Sequence, residues 1–149
     1  MTANPETPHE LVGFWSAEHG RPSTMEDECL MFRPDGTGWY EYARLGYSRI
    51  ILFRWRPVSQ GRVRLEAYHE IEWSLAADPA PPRQRRVRRM ERLTFQIAEH
   101  PRPLLTMPVR VLALRFSFGE LPSSGEPAYA FVGPAEPDRE IFHKVASTT

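Results

Sequence analysis

The chain has 149 residues, 41% of them hydrophobic, and its 19 basic and 19 acidic residues balance to a formal charge of zero. That is the size of one domain, able to bury roughly two thirds of the surface its extended chain would expose, and zero net charge supplies no global field to recruit nucleic acid or an anionic membrane. Cys29 is the only cysteine, which excludes an internal disulfide and any multi-cysteine metal site; no apolar run approaches the roughly 20 residues of a membrane span, and the first ten residues lack the parts of a signal peptide, so a cytoplasmic protein is expected.

Residues 1–10 are polar and proline-rich and read as a flexible tail, leaving 11–146 as the folded domain. Leu11, Val12, Phe14 and Trp15 make a first short strand, residues 20–27 are loop-like, and 29–32 resume as strand. Arg33-Pro34-Asp35-Gly36 then has the composition of a tight turn. From Gly36 to Trp73 the pattern predicts three consecutive antiparallel strands. A two-residue loop at Gly46-Tyr47 would pair Tyr42 with Ile51 and Tyr40 with Phe53. A three-residue loop at Ser59-Gln60-Gly61 would pair Trp55 with Leu65, Phe53 with Ala67 and Ile51 with His69. Both hairpins choose one inward face: Tyr40, Tyr42, Ile51, Phe53, Trp55, Val63, Leu65, Ala67, His69, Ile71 and Trp73. Arg54, Arg56, Arg62, Arg64, Glu66, Tyr68, Glu70 and Glu72 point outward, because a one-residue slip would bury those charges. Ile50 and Leu52 also land outside and need a cover, whether a helix, the N-terminal segment or a second copy of the chain as a homodimer.

After a proline-rich exit at 76–84, residues 85–99 read as one long strand with Val87, Arg89, Glu91, Leu93, Phe95 and Ile97 on one face. Further strands are expected at 109–118, 128–132 and 140–145. Most of the 15 prolines fall between these strands, where a missing N–H does not disturb a ladder. The fold class is all-β: a single up-and-down antiparallel barrel of eight to nine strands. About eight strands is the size at which a barrel either fills with side chains or encloses one small ligand.

Gly13-x-Trp15, then Leu30-x-Phe32-x-Pro34-Asp35-Gly36-Thr37-Gly38, then Phe53-x-Trp55 resembles the small bacterial lipocalin-like proteins of the calycin group. The resemblance covers roughly residues 11–75. It implies a barrel with a cavity and leaves the reaction open, since such folds host many functions.

Alternation places His69 alone among histidines on an apolar face, as a general base, a ligand anchor or a bonded core residue. Arg89 and Glu91 share the inner face of the long strand, where they could hold a polar group of a ligand or move a proton. Tyr40, Tyr42, Phe53, Trp55 and Trp73 would supply an aromatic wall with two hydroxyls, the make-up of a small-molecule pocket and equally of a filled core. The arginine run at 83–89 has no interleaved aromatics, which argues against nucleic acid and for a guarded sheet edge. No phosphate loop, dinucleotide fingerprint, nucleophile elbow or zinc spacing occurs, so neither cofactor nor metal is expected. Three functions follow as expectations. The first is binding of a small, largely apolar molecule. The second is a cofactor-independent isomerase, cyclase or dehydratase of secondary metabolism using His69 or Glu91 with the tyrosines. The third is an interaction or immunity-type module using an exposed Ile50 and Leu52.

Overall fold

The computed structural model describes residues 9–117 and 128–146. Most of the expected tail, together with Phe118 and the loop 119–127, lies outside the described residues. The strands are β1 (Gly13–Ser16), β2 (Glu26–Phe32), β3 (Thr37–Arg44), β4 (Tyr47–Ser59), β5 (Arg62–Ser74), β6 (Arg83–Thr94), β7 (Gln96–His100), β8 (Val109–Ala113) and β9 (Ala128–Gly133). A 3-10 turn at Leu75–Ala77 and one helix, α1 (Glu140–Ala146), complete the described elements. The expected strand at 140–145 is therefore a helix. Ile141, Phe142 and Val145 sit one turn apart or side by side and cover a sheet face, a pattern too short to be distinguished from a strand by periodicity alone.

All nine strands form one antiparallel sheet in the order β6-β5-β4-β3-β2-β1-β9-β8-β7. In a flat sheet with strands ~4.8 Å apart, β6 and β7 would stand roughly 38 Å from each other. Yet Phe95 alone separates them in the chain, and two Cα steps reach at most about 7 Å. The sheet is therefore curled until its two ends meet in a single run of chain, 83–100. The long strand expected at 85–99 is this run: its first part pairs with β5, its second with β8, and the changeover falls at Phe95, whose N–H donates to the Gly61 carbonyl (2.9 Å). No backbone ladder joins β6 to β7, so the sheet is not closed into the expected barrel.

Curling gives the sheet two cores. The larger gathers one face of all nine strands: Trp15, Leu30, Phe32, Tyr40, Phe53, Trp55, Leu65, Leu112 and Tyr129 are buried in it, with Val87, Leu93 and Ile97 packed against it. The smaller lies on the opposite face under α1 and contains Phe14, Met31, Trp39, Ile50, Ile71 and Ile141, with Leu52 and Trp73 packed alongside. Ile50 and Leu52 are thus covered by the helix. Within the smaller core Glu41 is buried; it accepts from the Ser48 hydroxyl (2.8 Å) and lies 3.1 Å from Arg139, whose guanidinium also sits over Phe14 and Trp39. Cys29 is buried beside them, and burial followed by the charge of Asp27 pushes its thiol well above the usual range.

Register explains which face each residue takes. The first hairpin turns at Leu45–Gly46, one residue earlier than expected, so Tyr40 opposes Ile51 and Gly38 opposes Phe53. A shift of two in the pairing keeps every side chain on its expected face. In the second hairpin Trp55 opposes Leu65 and Phe53 opposes Ala67, as expected. Then Tyr68 is an extra residue: Leu52 opposes His69 and Ile51 opposes Glu70. A bulge of this kind reverses the alternation beyond it. His69, Ile71 and Trp73 consequently lie on the helix face, while Glu70 and Glu72 turn to the face of the larger core, each opposite to its expected side.

Candidate functional site

One end of the larger core is sealed with aromatic rings. Trp15 donates its indole N–H to the Leu11 carbonyl (2.9 Å), and the His9 ring packs edge-on against Trp55 and Phe95 at 5.5 and 6.1 Å. Trp55 directs its own N–H at the carbonyls of Arg33 and Thr37, both at 3.1 Å, and its ring meets Phe32 at 5.3 Å. Phe53 is fully buried against Phe32 and over Gly38. Phe53 and Trp55, expected to wall a cavity, are therefore packed core.

Toward the other end the same face becomes polar. The Tyr40 hydroxyl donates to Glu28, both side chains being buried, and Tyr42 stands across the ladder from Glu28 and Arg49. Burial, reinforced by the charge of Glu28, pushes the neighbouring Tyr129 hydroxyl above the usual phenol range. Next to this, β4, β5 and β6 enclose a pocket of about 240 Å³ lined by Ile51, Ala67 and Val87 and by Arg49, Glu70, Arg85, Arg88 and Arg89. It shares Glu70 and Arg85 with a second space of about 380 Å³ bounded by Glu72, Arg83 and Gln84.

Glu70 anchors the pocket. Its two oxygens accept from Arg49 Nε (2.9 Å) and Arg85 Nε (2.8 Å), and Arg85 Nη2 lies 2.7 Å away. Burial alone would raise its pKa, but the bonds and charges of the two guanidiniums together outweigh burial and hold it below the usual carboxylate range. Glu70 is thus a fixed anion that orders its arginines. The bulge at Tyr68 creates this arrangement, for without it Glu70 would face the other way.

The expected site residues are divided by the fold. Arg89 lines the pocket and donates to the Ser117 hydroxyl (3.0 Å), whose own backbone N–H donates to Glu91 (2.9 Å). Arg89 and Glu91 are therefore linked through Ser117, across the gap where the sheet has no ladder. Tyr40 and Tyr42 flank the polar end. His69 shares a hydrogen bond with Gln84 (2.9 Å) on the helix face, and Trp73 lies under Lys144 there, with Nζ 4.9 Å from the ring centre. Neither meets the pocket. Glu70 and Arg88 escape the sequence reading because a bulge without a glycine leaves no mark in composition, whereas Arg49 and Arg85 share the alternation of Ile51 and Val87. One signal does exist: Ile50-Ile51-Leu52-Phe53 is apolar without alternation, the pattern of a strand covered on both faces.

Among the described residues no helix is long and apolar enough to cross a membrane, and no group of three histidine, cysteine or acidic side chains is arranged to hold a metal ion. Fold and site together define an all-β protein, a single curled antiparallel sheet with a small arginine-rimmed pocket beside its open seam. No family model, curated protein or solved structure matches the chain.

Proposed function

We propose that the protein binds a small organic molecule, taken into the pocket between β4, β5 and β6 of an incompletely closed, lipocalin-like barrel. The observation that carries this reading is the pocket itself: an aliphatic floor of Ile51, Ala67 and Val87 beneath a charged rim. Ligand sites combine an apolar surface with a few placed polar groups, and this one has both. Its volume is that of a small or partly protruding ligand. Catalysis by proton transfer draws less support. His69 and Glu91 stand on opposite faces of the sheet, and the carboxylate that does line the pocket is neutralised by two arginines.

The test is saturable one-to-one binding of a panel of short amphiphiles, measured by calorimetry and thermal shift on the full chain. Ala67 is buried and lines the pocket, so Ala67→Leu should fill the floor and abolish binding while the unfolding transition stays cooperative. Binding that survives Ala67→Leu unchanged would place the ligand elsewhere and reject the pocket.

A further inference from the structure

Among the described residues the pocket's rim is unbalanced: four guanidinium groups, Arg49, Arg85, Arg88 and Arg89, line it with one carboxylate, Glu70. That carboxylate is already committed on both oxygens to Arg49 and Arg85. Arg85, Arg88 and Arg89 each carry a planar fork of five N–H donors suited to a second anion. Arg88 has no ion-pair or hydrogen-bond partner among the described residues, and Arg89 has Ser117, a neutral one. Like charges gathered around one hollow repel one another, a cost that a bound anion would relieve.

Two simpler accounts exist for an arginine-rich strand. Arginines on a free edge repel edge-to-edge pairing, and exposed arginines extend into solvent. Both would scatter the side chains along β6. Instead Arg85, Arg88 and Arg89 line one hollow with Arg49 from β4, and Arg49 is mostly withdrawn from solvent and held by Glu70. The bulge in β6 that accompanies the one in β5 brings Arg88 to that hollow beside Val87 and Arg89.

We infer that this is an oxyanion site: the ligand carries a carboxylate or phosphate head held by Arg49, Arg85, Arg88 and Arg89, with an aliphatic body seated on Ile51, Ala67 and Val87. Glu70 is the internal counter-ion that positions two of the four arginines. This rests on the binding function proposed above and gives its ligand a chemical class.

The experiment compares octanoate, octyl phosphate and octanol by calorimetry against the wild-type protein, Ala67→Leu and the double variant Arg88→Gln/Arg89→Gln. Both arginines are exposed, so the double variant should fold normally. The anions should bind at least about tenfold more tightly than octanol, because hydrogen bonds between charged partners exceed those to a hydroxyl. The double variant should lose about tenfold in affinity for the anions and little for octanol. The ratio of octanoate to octyl phosphate identifies the head group. If octanol binds as well as the acids, the pocket reading stands and the oxyanion assignment falls. Should no amphiphile bind at all, both fall. A preference for acids that is indifferent to Arg88→Gln/Arg89→Gln would put the anion site elsewhere and overturn the assignment.

Discussion

Removing Arg139 should expose how much of the helix-face core depends on one ion pair. The Glu41 side chain is 5% exposed and keeps only the Ser48 hydroxyl once the guanidinium is gone. Stranding a buried carboxylate costs about 3 kcal/mol, at the lower end for a broken buried pair because Arg139 is itself partly exposed. The guanidinium also lies 5.3 Å from the Phe14 ring centre and 5.9 Å from that of Trp39, contacts worth about 0.5 kcal/mol each. Arg139→Met should therefore lower the melting temperature by roughly 10 °C in a domain of this size. The assay is thermal unfolding of the wild type, Arg139→Met, Glu41→Gln and the double variant at neutral pH, followed by circular dichroism. Most of the loss should be recovered when Arg139→Met is made in the Glu41→Gln background, since no charge is then stranded. The pH dependence has a definite sign. Burial raises the Glu41 pKa and Arg139 pulls it back, so without Arg139 it rises further. The folded state then binds a proton more readily than the unfolded one, and the deficit of Arg139→Met shrinks as pH falls through the raised value, with the relief complete below the unfolded value. An equal loss in both backgrounds, unchanged by pH, would refute this reasoning and leave Arg139 a stacking role alone.

Two further outcomes are expected. Glu70 has a lowered folded pKa, so its contribution is fully present above its unfolded value and is lost as pH falls through the lower folded one; Glu70→Gln should cut the urea midpoint at neutral pH and flatten the acid limb of the stability profile, and an unaltered acid limb would contradict the assignment. Gly38→Ala places a Cβ 2.2 Å from the Met31 carbonyl oxygen and 2.6 Å from the Phe53 ring, within a ladder that cannot yield, whereas Gly133→Ala meets nothing within 4 Å; the first should fail to accumulate as soluble protein and the second should behave as wild type.

Much of the architecture was legible because strand faces obey strict alternation. The turn at Leu45–Gly46 moved the expected pairing by two residues, an even number, so Tyr40, Ile51 and Phe53 kept their face although their partners changed. The second turn is the two residues Gln60–Gly61, with Gly61 at a φ of 73° and Ser59 opposite Arg62, and an extra residue at Val58 makes up the difference, so the pairs Trp55–Leu65 and Phe53–Ala67 fall where expected. The site was less legible for the same reason. A single extra residue at Tyr68 reverses everything beyond it, and neither Gly nor Pro marks the position, so His69 and Trp73 were expected inside and Glu70 outside. The helix at the end of the chain explains what the outward Ile50 and Leu52 needed, but seven residues give too little periodicity to declare it.

The pairing of β1 with β9 sets the order in which the molecule can be completed. Trp15 finds Phe131 only after nearly the whole chain has been made, and Phe14 finds Gly133. A nascent chain can assemble the meander β2 to β6 from local hairpins, but β1 keeps one unsatisfied edge until residues 128–133 arrive. The residues from 128 onward finish both hydrophobic clusters, Tyr129 of β9 entering the larger and Ile141 of α1 the smaller. A ribosome stalled before residue 128 would therefore leave a product with a sticky strand and two open cores, prone to aggregate rather than to linger as a soluble fragment.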